Sequence, residues 1–105
     1  MLVTYWERCD NADRDTFARA ALNLCRAQRT QHGIRNSRFY WFGIDTLVVQ
    51  TDAESLDVFN SPPPPEASTA VFALSDQAHQ IRMERWQDAA VGEQSYRNAQ
   101  AAARR

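Results

Sequence analysis

The 105-residue sequence predicts an α+β domain in which helices cover one face of a small antiparallel sheet. Three observations lead there. Residues 2–9, "LVTYWERC", and residues 35–42 are rich in the β-branched and aromatic side chains that suit a pleated, half-buried surface. Two longer stretches carry apolar residues at helical spacing. The second and third strand candidates are separated only by Gly43–Asp45, a connection short enough to require an antiparallel hairpin.

The elements follow in order. In the first strand, Val3, Tyr5 and Cys9 fall on one face and Leu2, Thr4 and Trp6 on the other. "DNADRD" then supplies capping side chains at Asp10, Asn11 or Asp13, and its carboxylates favour the positive end of a helix dipole. The helix that follows runs to about Gln31, with Phe17, Ala20, Ala21, Leu24 and Gln28 along one stripe. Gly33 is placed to end it in the left-handed region. Strand two spans 35–42 and "TLVVQT", 46–51, forms strand three. "DAESLDVF" reads as a short helical turn or an irregular segment. The four prolines 62–65 form a stiff extended lead-in, and Pro64 or Pro65 can open a helix with Glu66 in its first turn.

That second helix is expected from Glu66 to Ala90 and shows two stripes. Ala67, Val71, Leu74, Ala78 and Ile81 make an aliphatic one; Phe72, His79, Met83 and Trp86 make an aromatic one. Residues 1–91 are read as one domain and 92–105 as a weakly helical or frayed tail.

Composition sets limits on function. Hydrophobic residues make up 44% and charged residues 24%, which is globular composition, and the formal net charge of −1 provides no field to recruit nucleic acid or a membrane surface. Every basic residue is Arg, so Schiff-base and P-loop lysine chemistry is excluded. Such Arg usage is also common in GC-rich bacterial genomes. The N-terminus lacks the basic lead and apolar core of a signal peptide, and no apolar run approaches the roughly 20 residues that span a bilayer, so a cytoplasmic location is expected. Cys9 and Cys25 have no metal-binding spacing and are read as small buried thiols; neither a metal nor another cofactor is expected.

Strand, helix, two-stranded hairpin, helix is the beginning of the split β-α-β arrangement, and residues 2 to about 90 resemble the ferredoxin-like, dimeric α+β-barrel superfamily in element order. That resemblance implies two sheets packed face to face in a homodimer. Families of the superfamily include cofactor-independent monooxygenases, lactone isomerases and haem-degrading enzymes. The fourth strand expected of the fold is weak or missing on this reading, because "VGEQSYRNAQ" is a poor strand sequence and residues 94–98 could pair only briefly at an edge.

Candidate site residues follow from the stripes and the strand. His79, with Asp76 at i−3 and Met83 at i+4, is a candidate general base or haem ligand in a pocket walled by Phe72 and Trp86. The alternative is a histidine at a helix or subunit contact. Arg82 could bind a ligand carboxylate or phenolate, or pair with an acidic neighbour. In "SRFYWFG", 37–43, Phe39 and Trp41 point one way, and Arg38, Tyr40 and Phe42 the other. One set must meet the helices and the other a partner or ligand; Arg38 and Tyr40, sharing a face, could be polar fixing points on an aromatic wall. The function expected is binding, with or without cofactor-independent conversion, of a small aromatic or carboxylate ligand. The competing expectation is a homodimeric interaction module without a ligand.

Overall fold

The computed structural model describes residues 1–89, Arg97 and Ala101. The tail expected from residue 92, and with it the possible edge strand 94–98, lies outside the described residues apart from Arg97 and Ala101. Strand β1 (Leu2–Arg8) leads to helix α1 (Arg14–Arg29), hairpin strands β2 (Ile34–Trp41) and β3 (Thr46–Ala53), a 3-10 turn (Leu56–Asn60), helix α2 (Pro65–Gln77) and strand β4 (Ala78–Arg85). The sheet is antiparallel throughout, in the order β2-β3-β1-β4.

The last element corrects the sequence reading. The second helix stops at Gln77 rather than Ala90, and the fourth strand, expected to be weak or missing, is formed by residues 78–85. Ala78 has extended backbone (φ −156°, ψ 162°) while its N–H still donates to the Leu74 carbonyl, so the chain passes from helix to strand without a loop. The reason is the free edge of β1. Its backbone groups need partners on both sides, and β4 supplies them from Leu2↔Arg85 to Arg8↔Ala78.

The other elements form where local chemistry directs them. Asp13 caps α1 by accepting the Thr16 N–H at 3.1 Å, and that amide, followed by the Thr16 hydroxyl, holds its carboxyl below the usual range. Phe17, Ala20, Ala21, Leu24 and Cys25 are buried against the sheet. Gly33 adopts φ +87° beyond the helix end, and a Cβ there would meet a Val58 methyl at 2.8 Å, so only glycine lets the 3-10 turn pack so closely. Gly43 takes φ +82° in the hairpin. Pro64 is extended and Pro65 occupies the first turn of α2, as its fixed φ favours.

Both helices lie on one face of the sheet. Trp6, Leu47, Val49 and Ala78 meet Phe17, Leu24, Ala70 and Leu74 there, with Phe39 packed against the cluster. Trp41 joins the same side through an edge-to-face contact with Phe17 at 5.8 Å, while the Arg14 guanidinium lies 3.8 Å from its ring centre. Arg8 fixes that end of the sheet. Its guanidinium donates to the Asp45 carboxylate at 2.8 and 3.1 Å and to the Ala12 carbonyl at 2.6 Å, tying the hairpin turn to the approach of α1.

A small polar cluster sits within this layer. The hydroxyls of Ser37 and Thr51, both buried, donate to Gln28 Oε1 at 2.7 and 2.9 Å and lie 3.2 Å apart. Replacing Gln28 with Leu leaves two hydroxyls with only each other, so one proton has no acceptor. The expected cost is about 1–3 kcal/mol, read as a lower urea midpoint at unchanged slope.

Candidate functional site

Among the described residues, neither α1 nor α2 lies on the opposite face of the sheet. Strand register puts three rows of side chains on it: Arg38, Gln50, Val3 and Glu84; Tyr40, Val48, Tyr5 and Arg82; and Phe42, Thr46, Glu7 and His79. The alternation read from 37–43 holds, because Phe39 and Trp41 enter the helix layer while Arg38, Tyr40 and Phe42 face outward. The centre of this face is already closed, with Val3 fully buried and Val48 nearly so. Its flanks are not: Tyr40 is 47% and Phe42 65% exposed.

The predicted site residues do not converge on one pocket. Arg38 and Tyr40 line a cleft of about 250 Å³ with Met1, Asn36, Gln50 and Asp52. Trp86 lines an adjoining cleft of about 420 Å³ that shares Met1 and Asp52 and adds Arg35, Gln87 and Asp88. Main-chain bonding places Trp86 there, since its N–H donates to the Met1 carbonyl at 2.7 Å. These three residues therefore gather at one end of the sheet.

Arg82 lies on β4, three strand spacings or about 14 Å from β2. It forms an ion pair with Glu84 at 2.9 Å and stands 5.5 Å from the Tyr5 ring centre. His79 occupies the other end of the face, about 13 Å further along the strands than the Arg38 row. Because it is on a strand, the helical spacings to Asp76 and Met83 that suggested a base do not apply; its partner is Cys9, with Sγ 3.4 Å from Nε2. Phe72 is on α2, 73% exposed and remote from the sheet's outer face.

Sequence reasoning missed Asn36, Gln50 and Asp52, whose place beside Arg38 follows from register alone, and it missed Cys9, which is half-buried rather than buried. Cys25 is fully buried as expected, and burial pushes its thiol pKa up. Among the described residues, no three His, Cys, Asp or Glu side chains converge on a metal-sized site.

Chemically, the Arg38 cleft offers a guanidinium fork, two amides and a phenol for an anionic or hydrogen-bonding ligand, with Asp52 available to orient the Arg. In the adjoining row, Tyr5 is held in its neutral form. Its pKa is raised above the usual phenol value chiefly by a hydrogen bond to the Glu84 carboxylate.

Element order, register and the one-sided helix layer together decide the architecture. The fold is ferredoxin-like. Solved structures that share it include a conserved protein of unknown function from Bacteroides thetaiotaomicron, considered a candidate oxidoreductase, with TM-score 0.70 and 12% identity over 83% of this chain and 94% of that one. A Mycobacterium tuberculosis protein matches with TM-score 0.67 and 13% identity over 85% and 95% of the two chains. A candidate antibiotic biosynthesis monooxygenase from Deinococcus radiodurans matches with TM-score 0.61 and 11% identity over 85% and 93%. No protein-family model and no curated protein matches the sequence. At such identities the likeness carries the ferredoxin-like fold alone. No helix among the described residues is long and apolar enough to cross a membrane.

One test reads the electrostatics of the outer face directly. Glu84→Gln removes the charge that favours the neutral phenol, so Tyr5 should ionise at lower pH in the variant, measured by ultraviolet titration against a Tyr5→Phe control.

Proposed function

We propose that the outer sheet face receives a second copy of this chain, and that the clefts at its Arg38 end then hold a small aromatic carboxylate. The observation that supports the reading is the contrast between the two faces. One carries both helices and the core; the other presents Tyr40 next to Arg38, with Tyr5 and Phe42 further along, and no described helix lies over it. Exposed aromatics flanked by polar groups are the composition of an interface or a binding wall.

Both clefts open to solvent along one side, and a facing sheet would close them, excluding water and strengthening an Arg–carboxylate pair. Within such a site Arg38 binds the carboxylate by two parallel N–H donors. Tyr40 supplies ring contact and a hydroxyl, Gln50 and Asn36 supply further donors, and Trp86 borders the apolar part.

Two proteins of the same fold carry provisional names, an oxidoreductase and an antibiotic biosynthesis monooxygenase, and these agree with a small-molecule reading without extending it to a reaction here. Among the predicted residues, His79 is the titratable base, but it lies at the far end of the face from Arg38. Binding is accordingly the activity proposed at the Arg38 end.

The test pairs oligomeric state with ligand response. Light scattering at micromolar concentration should return a dimer. Aromatic carboxylates at about ten times their Kd should raise the melting temperature by roughly 5–10 °C, since such occupancy stabilises a domain of this size by about 1.4 kcal/mol. Arg38→Ala should abolish the shift and leave the dimer intact. A monomer, or a panel without any stabilising compound, overturns the corresponding half of the proposal.

A further inference from the structure

At the end of the sheet remote from Arg38, two chemically active side chains meet across the β1–β4 junction. Cys9 Sγ lies 3.4 Å from His79 Nε2, within reach of a thiol-to-imidazole hydrogen bond. His79 is exposed and Cys9 half-buried, so the pair is open to a solute. Main-chain bonding sets the separation. The Cys9 N–H donates to the Gln77 carbonyl at 2.9 Å, the Ala12 N–H donates to the Cys9 carbonyl at 3.0 Å, and Arg8↔Ala78 and Glu7↔His79 are the adjoining register pairs. Register thus places Glu7 directly opposite His79 across the two strands.

We propose that Cys9 and His79 form a nucleophilic thiol–imidazole pair that exchanges with small disulfides. A positioned imidazole is what a thiol needs to attack at neutral pH, because the thiolate is the reacting species and the base takes its proton during attack. The exchange balances without another reagent. Sγ of Cys9 bonds to one sulfur of the disulfide and the S–S bond breaks. The displaced thiolate then takes the proton that passed from Sγ to Nε2. The Cys9 sulfur is oxidised and the leaving sulfur reduced. Cys25, fully buried in the helix layer, has no access to such a reagent and is the internal control. The pair depends neither on a second copy of the chain nor on a ligand at Arg38.

The experiment treats the folded chain with oxidised glutathione, locates the adduct by peptide mass spectrometry, and times the reaction with a dipyridyl disulfide that releases a coloured thione. Adduct should form at Cys9 and not at Cys25. Its rate should exceed that of Cys9 in the urea-unfolded chain at the same pH by on the order of tenfold, short of the roughly 10²–10⁴ supplied by a sequestered base. His79→Gln, folded by circular dichroism, should return the rate to the unfolded value. A folded-state rate no higher than the unfolded one overturns the proposal, and that comparison stands even where the variant does not fold. A His79→Gln protein that reacts as fast as the parent overturns it as well.

Discussion

Strand β1 must be a central strand, and most of the structure follows from that. Val3 on one face and Trp6 on the other are both almost completely buried, and an edge position would leave one row of the strand's backbone groups unpaired. The hairpin β2–β3 satisfies one edge of β1. The other edge can be filled only by chain that returns after α2, and α2 therefore gives way to β4 at Ala78. The same return sets His79 opposite Glu7 and beside Cys9, and brings Trp86 to Met1.

This constraint is also why residues 78–85 mislead a local reading. The side-chain pattern itself imitates a helix, because the β1–β4 ladder shifts register between Tyr5 and Trp6. Across that bulge, His79, Arg82 and Glu84 share the outer face, a spacing of three then two, and the period of two that marks a strand is lost. Ile81 is the one β-branched residue in the segment, and β4 is a largely exposed edge strand that needs no apolar face. Nothing local competes with helix there; the demand comes from β1, at the opposite end of the described chain.

The elements that were legible are those whose signals are local. Asp13 caps, Gly33 and Gly43 turn, Pro65 opens α2, and the helical stripe of α1 packs as its spacing implies. The division of 38–42 between two faces was legible as well, since an alternating strand needs no tertiary information to assign sides. Which side the helices choose is settled by Phe39 and Trp41, whose rings reach Phe17 and the core. Site geometry was legible only within a strand. Arg38 and Tyr40 stay neighbours, whereas His79, Arg82 and Phe72, assembled on an expected helix, separate once β4 is a strand and α2 ends at Gln77.

The outer face therefore has two chemically different ends joined by a closed middle. Val3 and Val48 at the centre are already shielded, so a covering layer would gain little there; the gain lies at Tyr40 and Phe42, where aromatic surface remains in water. A partner in the proposed dimer would be held mainly by these aromatic flanks, leaving the ends as the places where space and polar groups persist. At one end the groups are fixed donors around Arg38, suited to holding an anion; at the other they are a thiol and a base, suited to attack. The two proposed sites in one copy lie on a diagonal of the sheet. Any reaction that used both on one small molecule would need the Arg38 corner of one copy to lie against the His79 corner of the other, which requires a two-fold axis lying in the interface at right angles to that diagonal.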